Sequence, residues 1–453
     1  MTCKVLILPL EIVNRELDAR LLHALFALRR GWEVYVGANA VINRGIWRLP
    51  RGVFLLTTLT HNRLYLSCLL KKSGFPIQGW DEEGLIYKNR DLYLTRRVSS
   101  ETLANVDQIF AWGEASAEDL DVRAAKVGKR ASALGNPRLD LLRPELHAFH
   151  AGEAERIRRE IGDFLLLNTN FPSVNLVVKR DISFHKRSSP RDQEFRHQAE
   201  RTYRRFIEHR RFMFRAFQEL LPVLAQALPE GMKLVVRPHP AENAEAWKGL
   251  ARTLPNVIVA SEGNVIPWMM ASTTLLHNDC TTAVEARLLG KEPVVYTPEG
   301  MPKDGPCFLP NAVSHQARTL DEILDLLNAI RQGEVNNASL EEILDRHVSA
   351  RRGKMAAERA VEYAEELLAR QECATSASGP SLRFFGVLRH AWKKLRARHR
   401  TDKYIARVFP PLSPTMLEHR LHRLGRILDM PVDDVRVKKI GNRLFHLRMD
   451  KPR

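Results

Sequence analysis

Cysteine and aromatic residues are scarce in this 453-residue sequence. The five cysteines are Cys3, Cys68, Cys280, Cys307 and Cys373. Their number is odd, they are widely spaced and no CxxC pair occurs. That pattern argues against a disulfide framework and against a thiolate metal knuckle. Aromatics make up 7% of the chain, few for a protein that stacks single-stranded bases. No apolar run approaches the ~18–20 residues of a membrane-spanning helix. The short apolar run near the N-terminus lacks a signal-peptide core and cleavage site, and reads as a first β-strand. The chain is therefore expected in the cytoplasm. Gly and Pro, 24 each, exclude collagen-like and low-complexity architectures. There is no Walker motif, no GxSxG, no HExxH and no clear DxD after a strand. The sequence therefore points to no metal and no cofactor.

What is present is an ordinary globular balance, 44% hydrophobic and 27% charged, long enough for two or three domains. The net charge of +17 is uneven. Residues 375–453 hold 19 Lys and Arg against 6 Asp and Glu, a balance of +13 that leaves only +4 on the rest. Such clustering points to a negatively charged partner.

Strand-like and helix-like patterns alternate in the first third. CKVLILPL (3–10), EVYVG (33–37), VFLL (53–56) and QIFAWG (108–113) read as strands. Between the first two, Leu17, Leu21, Leu25 and Leu28 share one helical face. A second alternating set runs through DFLLLN (163–168), KLVVR (233–237), NVIVA (256–260), TTLLH (273–277) and PVVYT (293–297). A long insertion, basic over 179–215, separates its first two strands. Helices over 319–331, 339–346 and 352–372 are expected to close this half. This is the pattern of two Rossmann-like α/β halves joined near residue 150, as in a GT-B arrangement. The expected divisions are an N-terminal half (1–150), a C-terminal half (151–373), a small-residue linker (374–381) and a basic extension (382–453).

In open α/β sheets, ligands sit beyond the carboxyl ends of the strands, so residues there are the candidates. In LLHNDCTTAVEARLLGKEPVVY (275–296), Asn278, Thr281 and Thr282 open a helix whose free N–H groups suit an anion. Glu285 would accept from a ribose. A plain capping box explains the same spacing. In KLVVRPHPAEN (233–243), Pro238 and Pro240 stiffen the turn carrying His239, beside Arg237, a residue suited to phosphate. In GWDEEGL (79–85), Asp81, Glu82 and Glu83 crowd together and would supply a base or nucleophile, with Glu82 the lead; a solvated acidic turn is the alternative. Glu11, Arg15 and Glu16 lie between the first strand and first helix, on the acceptor side. Asn168 and Asn170 end the first strand of the second half, where they would orient a donor sugar or cap a turn.

In their chain order, LPLEIVNRELDARLL, LPRGVFL, WDEEGL, DQIFAWGE, LGNPRLDLLRPE, GDFLLLNTNF, VVRPHPAE and HNDCTTAVEARLLGKEPVV resemble the bacterial surface carbohydrate biosynthesis proteins. Those are similar to the Kdo transferases of capsule and O-antigen (lipopolysaccharide) assembly. The resemblance spans roughly residues 3–300. It implies a GT-B glycosyltransferase using a CMP-linked 3-deoxy-ulosonic or nonulosonic acid, without a metal. It implies that Arg237, His239, Thr281 and Thr282 hold the CMP phosphate, that Glu285 holds the ribose and that an acid of 81–83 sits at the anomeric carbon. A glycerophosphotransferase-type polymer transferase is the rival enzyme, and a nucleic-acid-binding protein the rival outside enzymes. Residues 382–400, mixing Leu, Phe, Val and Trp with seven Arg or Lys, are expected to bind an anionic membrane from its cytoplasmic side, near a lipid-linked glycan acceptor. That placement makes a nucleic-acid partner unexpected.

Overall fold

A computed structural model describes residues 4–175, 191–302, 307–372 and 409–450, with side chains from 204 in the second stretch and to 370 in the third. The strands in chain order are β1 (Val5–Leu10), β2 (Glu33–Ala38), β3 (Val53–Leu56), β4 (Ile77–Trp80), β5 (Gln108–Ala111), β6 (Ala131–Ala133), β7 (Phe164–Asn168), β8 (Lys233–Arg237), β9 (Val257–Val259), β10 (Thr274–His277), β11 (Val294–Tyr296), β12 (His315–Ala317), β13 (Val435–Gly441) and β14 (Leu444–Met449). They fall into two units, 1–149 with 345–453, and 150–344.

The first unit holds one sheet in the order β13-β14-β2-β1-β3-β4-β5-β6. Its six central strands are parallel, and the β13–β14 hairpin adds an antiparallel edge against β2. All of β1 is buried, as expected for a strand covered on both faces. Its period of two sends Leu6, Leu8 and Leu10 into one core and Val5 and Ile7 into the other. The first helix, Val13–Arg29, is buried almost all round. It shares a core with Ala357, Ala360, Val361 and Ala364 of helix Ala356–Glu372, and with Leu417, Leu421 and Leu424 of helix Pro414–Ile427.

Two expected divisions are corrected by this packing. Helix Ala356–Glu372 was assigned to the second half, yet it covers the first. Arg30 reaches Glu362 and Glu365 at 3.1 Å each, and Asp140 accepts from the Ala356 and Ala357 N–H groups at 3.0 and 2.8 Å. Residues 409–450 are part of the same unit and not an appended extension. The apolar stripe of helix Pro414–Ile427 and the inward Val435 and Val437 finish its core.

The second unit is an all-parallel sheet, β12-β11-β10-β7-β8-β9. Helix Arg191–Ala227 covers one face through Met213, Phe217, Leu220, Leu221 and Leu224, packed with Trp247. Both units are thus Rossmann-like, the expected fold class. Among the described residues no helix is long and apolar enough to cross a membrane. The segment 382–400, expected at a membrane, lies outside the described residues.

Candidate functional site

In the first unit the strand order reverses between β1 and β3: β2 lies on one side of β1 and β3 on the other. Ligands of open α/β sheets gather at such a point, and the acids and arginines of the first half converge there. Glu82 follows β4 and is buried. Arg20, from the first helix, donates to it at 2.6 Å, and both side chains are under 5% exposed. Arg138 donates to the Glu82 carbonyl at 3.3 Å and lies over the Trp112 ring. Burial alone would raise the Glu82 pKa, but Arg20 and Arg138 outweigh it and hold the carboxyl below its usual range. Asp81 accepts two bonds from Arg97, at 2.5 and 2.9 Å, while its carbonyl accepts from the Trp112 indole at 2.8 Å. Burial pushes its pKa up against the pull of Arg97.

Glu83 differs from its neighbours. Its side chain is about half exposed and takes an ion pair from Arg15 at 2.6 Å. Arg15 also binds Glu16 at 2.8 Å, and buried Glu16 accepts from the Glu11 N–H at 2.8 Å. Glu11 in turn accepts from Asn39 at 2.7 Å and Arg63 at 3.0 Å. The loop after β1 therefore joins Glu11, Arg15, Glu16 and Glu83 in one chain of contacts. Expected as lead acid, Glu82 is instead a buried ion-pair partner. Glu83 is the acid of the three that faces solvent.

In the second unit the order reverses between β7 and β10. Asn168 ends β7 directly opposite His277 of β10. It is buried, and neither amide atom has a hydrogen-bond partner among the described residues. Beside it, Asn278 accepts from the Asn170 N–H at 2.9 Å, while its own Nδ2 is without a partner among the described residues. Asn170 donates to the Asp279 carbonyl at 3.3 Å. Asp279 takes φ +56°, a conformation most side chains avoid. It is held by the Cys307 N–H at 2.6 Å and by buried Arg210 at 3.3 Å. The Thr281 side chain makes no cap bond to helix Thr282–Leu288. Thr281, Thr282 and Glu285 are half-buried on this helix.

The RPHP turn is built around a residue the motif reading passed over. Both oxygens of buried Glu242 accept hydrogen bonds: from Thr169 (2.9 and 3.1 Å), the Phe171 N–H (2.8 Å), the His239 N–H (3.1 Å), the Trp247 indole (3.2 Å) and Asn175 (3.4 Å). The exposed His239 ring accepts the Ala241 N–H at Nδ1, 3.1 Å away, which leaves the proton of the neutral imidazole on Nε2. Arg237 does not match its expected role. Its guanidinium donates to the Glu262 and Gly263 carbonyls at 3.0 and 3.2 Å and lies 4.9 Å from the Trp268 ring. Burial lowers its pKa to about 10, with Glu153 opposing. In this structure it braces a loop.

Arg210 was also missed, though its spacing gave a signal. It lies three residues before Met213 and seven before Phe217, on the buried face of its helix, where an arginine needs a partner. Next to it a groove of about 770 Å³ opens between this helix and the loop after β11, lined by Arg211, Phe212, Arg215, Tyr296, Pro298 and Glu299 among others. Among the described residues no group of three His, Cys, Asp or Glu is placed to hold a metal ion.

No family model matches the chain, and no curated protein matches it. Solved structures do. The wall teichoic acid polymerase TagF, soaked with CDPG, superposes with a TM-score of 0.50 at 11% identity, over 81% of this chain and 89% of that one. The UDP-GlcNAc 2-epimerase from Neisseria meningitidis bound to UDP-GlcNAc gives 0.47 at 13% identity, over 81% and 100%. MnaA from S. aureus with UDP gives 0.44 at 12%, over 82% and 97%. At such identities the likeness is one of fold: the chain has two Rossmann-like units of the GT-B type.

Proposed function

We propose that this chain is a glycosyltransferase of bacterial surface polysaccharide assembly that takes a Kdo-like or nonulosonic acid from a CMP-linked donor. The observation that carries the reading is the polar floor at the ends of β7 and β10. Asn168 and Asn278 hold buried amide atoms without partners among the described residues, whereas buried polar groups are nearly always paired. Phosphate and hydroxyl groups of a donor would pair them. His239 donates from Nε2 to the phosphate, Thr281 and Thr282 add hydroxyls, and Glu285 accepts from the ribose. Arg237 positions the loop at Glu262–Gly263, and Asn170 positions Asn278.

On the first unit Glu83 is the proposed base. The acceptor hydroxyl gives its proton to Glu83 as its oxygen bonds to the anomeric carbon. The bond from that carbon to the phosphate oxygen breaks, and CMP leaves with the electron pair. Arg15 fixes the Glu83 carboxylate, and Glu82 and Asp81 hold the surrounding frame. The proposed acceptor is a glycan or lipid-linked glycan, with Glu11, Arg15 and Glu16 nearest to it. Residues 382–400 are the proposed contact with an anionic membrane. Charge reversal there tests the contact better than truncation, because the chain beyond 409 completes a core.

A thermal-shift screen of CMP, CDP, UMP, UDP and GDP tests the donor. A ligand at 100 times its Kd stabilises the fold by about 2.7 kcal/mol. A shift with UDP or GDP and none with CMP would refute the CMP reading. A larger shift with CDP would favour a polymer transferase taking a CDP-linked donor. That second reading draws on the likeness to TagF, whose structure was soaked with CDPG.

A further inference from the structure

The hairpin that closes the first sheet carries several cations that make no ion pair among the described residues. In residues 409–450, Arg420 pairs with Asp18 and Arg436 with Asp450, while exposed Arg426 and Arg448 make no ion pair among the described residues. In the second half of β13, just before its turn to β14, exposed Lys438 and Lys439 lie opposite His446 and Phe445 of β14 and make no ion pair among the described residues. Arg443 has none either; its guanidinium lies over the Phe409 ring. Between these cations Ile440 is 40% exposed, one of few large apolar side chains so placed.

Strand direction fixes where this tip lies. β14 runs antiparallel to β2, with Leu444 opposite Gly37 and Leu447 opposite Val34. The turn before Leu444 therefore projects beyond the carboxyl end of β2. β1 runs parallel to β2, with Leu10 opposite Ala38, so the loop carrying Glu11 leaves the same edge of the sheet. The join is tight. The Ala38 N–H donates to the Arg443 carbonyl at 2.9 Å. A Cβ at position 37 would sit 2.5 Å from that oxygen, so Gly37 is required for the hairpin to dock this closely. Asn39, directly after Ala38, donates to Glu11.

We infer that the end of the hairpin, Lys438–Lys439–Ile440 of β13 with Arg443 of the turn, is a membrane-docking element. It would set Ile440 among the headgroups of an anionic leaflet and bring the Glu11–Arg15–Glu83 edge to the lipid surface. Unpaired cations around one exposed apolar side chain match an anionic interface, where each basic residue adds attraction and the apolar group inserts. Segment 382–400, expected at a membrane, lies outside the described residues; the hairpin end brings the membrane to the proposed acceptor edge. The inference rests on the reading of the enzyme as peripheral to a membrane.

The test uses the full chain and vesicles of phosphatidylglycerol in phosphatidylcholine, with phosphatidylcholine alone for comparison. The expected results are that K438E/K439E lowers the partition coefficient at least tenfold, that I440D lowers it severalfold, and that R370E, reversing an exposed charge elsewhere on the unit, changes it little. Melting temperature and the CMP-induced shift should match the unaltered chain in all three. If the unaltered chain binds anionic vesicles and both tip variants bind as tightly, the tip assignment is wrong while the membrane reading stands. If the unaltered chain does not bind vesicles, the membrane reading fails and takes the tip with it. Loss of RNA binding without loss of vesicle binding in K438E/K439E would also overturn the assignment.

Discussion

Replacing Glu242 with alanine would leave five donors without their acceptor: the Thr169 hydroxyl, the Phe171 and His239 N–H groups, the Trp247 indole and the Asn175 amide. A buried donor left unmade costs about 1–3 kcal/mol. These donors share one partner, so the costs do not simply add. About 4–6 kcal/mol is a reasonable total, against roughly 5–15 kcal/mol for a whole domain. Glu242→Gln keeps one acceptor but turns a donor toward donors, and should cost about 2–3 kcal/mol. Denaturant unfolding followed by tryptophan fluorescence would report the loss, since the Trp247 indole is itself a Glu242 partner. The CMP-induced thermal shift should shrink in Glu242→Gln as well, because the His239 turn hangs on the same carboxylate. If Glu242→Ala unfolds within about 1 kcal/mol of the unaltered chain, the carboxylate does not organise the turn and the reasoning fails.

Three further outcomes follow from the geometry. Glu83→Gln should abolish sugar transfer with nucleotide affinity and stability nearly intact, whereas Glu82→Gln should cost about 3–5 kcal/mol by leaving buried Arg20 unpaired; full turnover in Glu83→Gln would remove it as base. His23 and His277 are buried, and burial (for His23 also Arg20) lowers their pKa values to about 3. The unfolded chain takes up protons below pH ~6.5 that the native chain refuses, so each histidine should cost about 2 kcal/mol by pH ~5 and more toward 3. His23→Leu should flatten that acid limb in denaturant titrations, and an unchanged limb would contradict it. Arg210→Met should destabilise the second unit by about 3–5 kcal/mol, since Asp279 would be a buried charge without its partner; equal denaturation midpoints would argue against that pair.

The strands were legible because parallel strands covered on both faces read as continuous apolar runs: VLILPL, VFLL, FLLLN and KLVVR appear as β1, β3, β7 and β8. Strands β6 (ASA) and β12 (HQA) are three residues long and carry no such run. The RPHP turn and the Thr281–Glu285 segment were legible as strand-end motifs. The partners that set their geometry were not. Glu242 and Arg20 act through contacts made by folding, and neither an acid in a turn nor an arginine in a helix announces its partner. The return of helix Ala356–Glu372 to the first unit was illegible for the same reason: its apolar stripe fits any sheet, and the choice is made by Asp140, Gln78 and Arg30.

The first unit is assembled from both ends of the chain, with the whole of the second unit threaded between. A ribosome delivers residues 4–149 first, and their uncovered side, which later receives Ala357, Ala360 and Leu421, must wait for roughly 200 more residues. At about 5–20 residues per second that interval lasts about 10–40 s. During it the apolar flank of the first helix is exposed on a nascent chain, while the second unit, continuous in sequence, is already complete. The order of maturation is thus the second unit first and the first unit after it, with the hairpin bearing Ile440 closing the sheet later still.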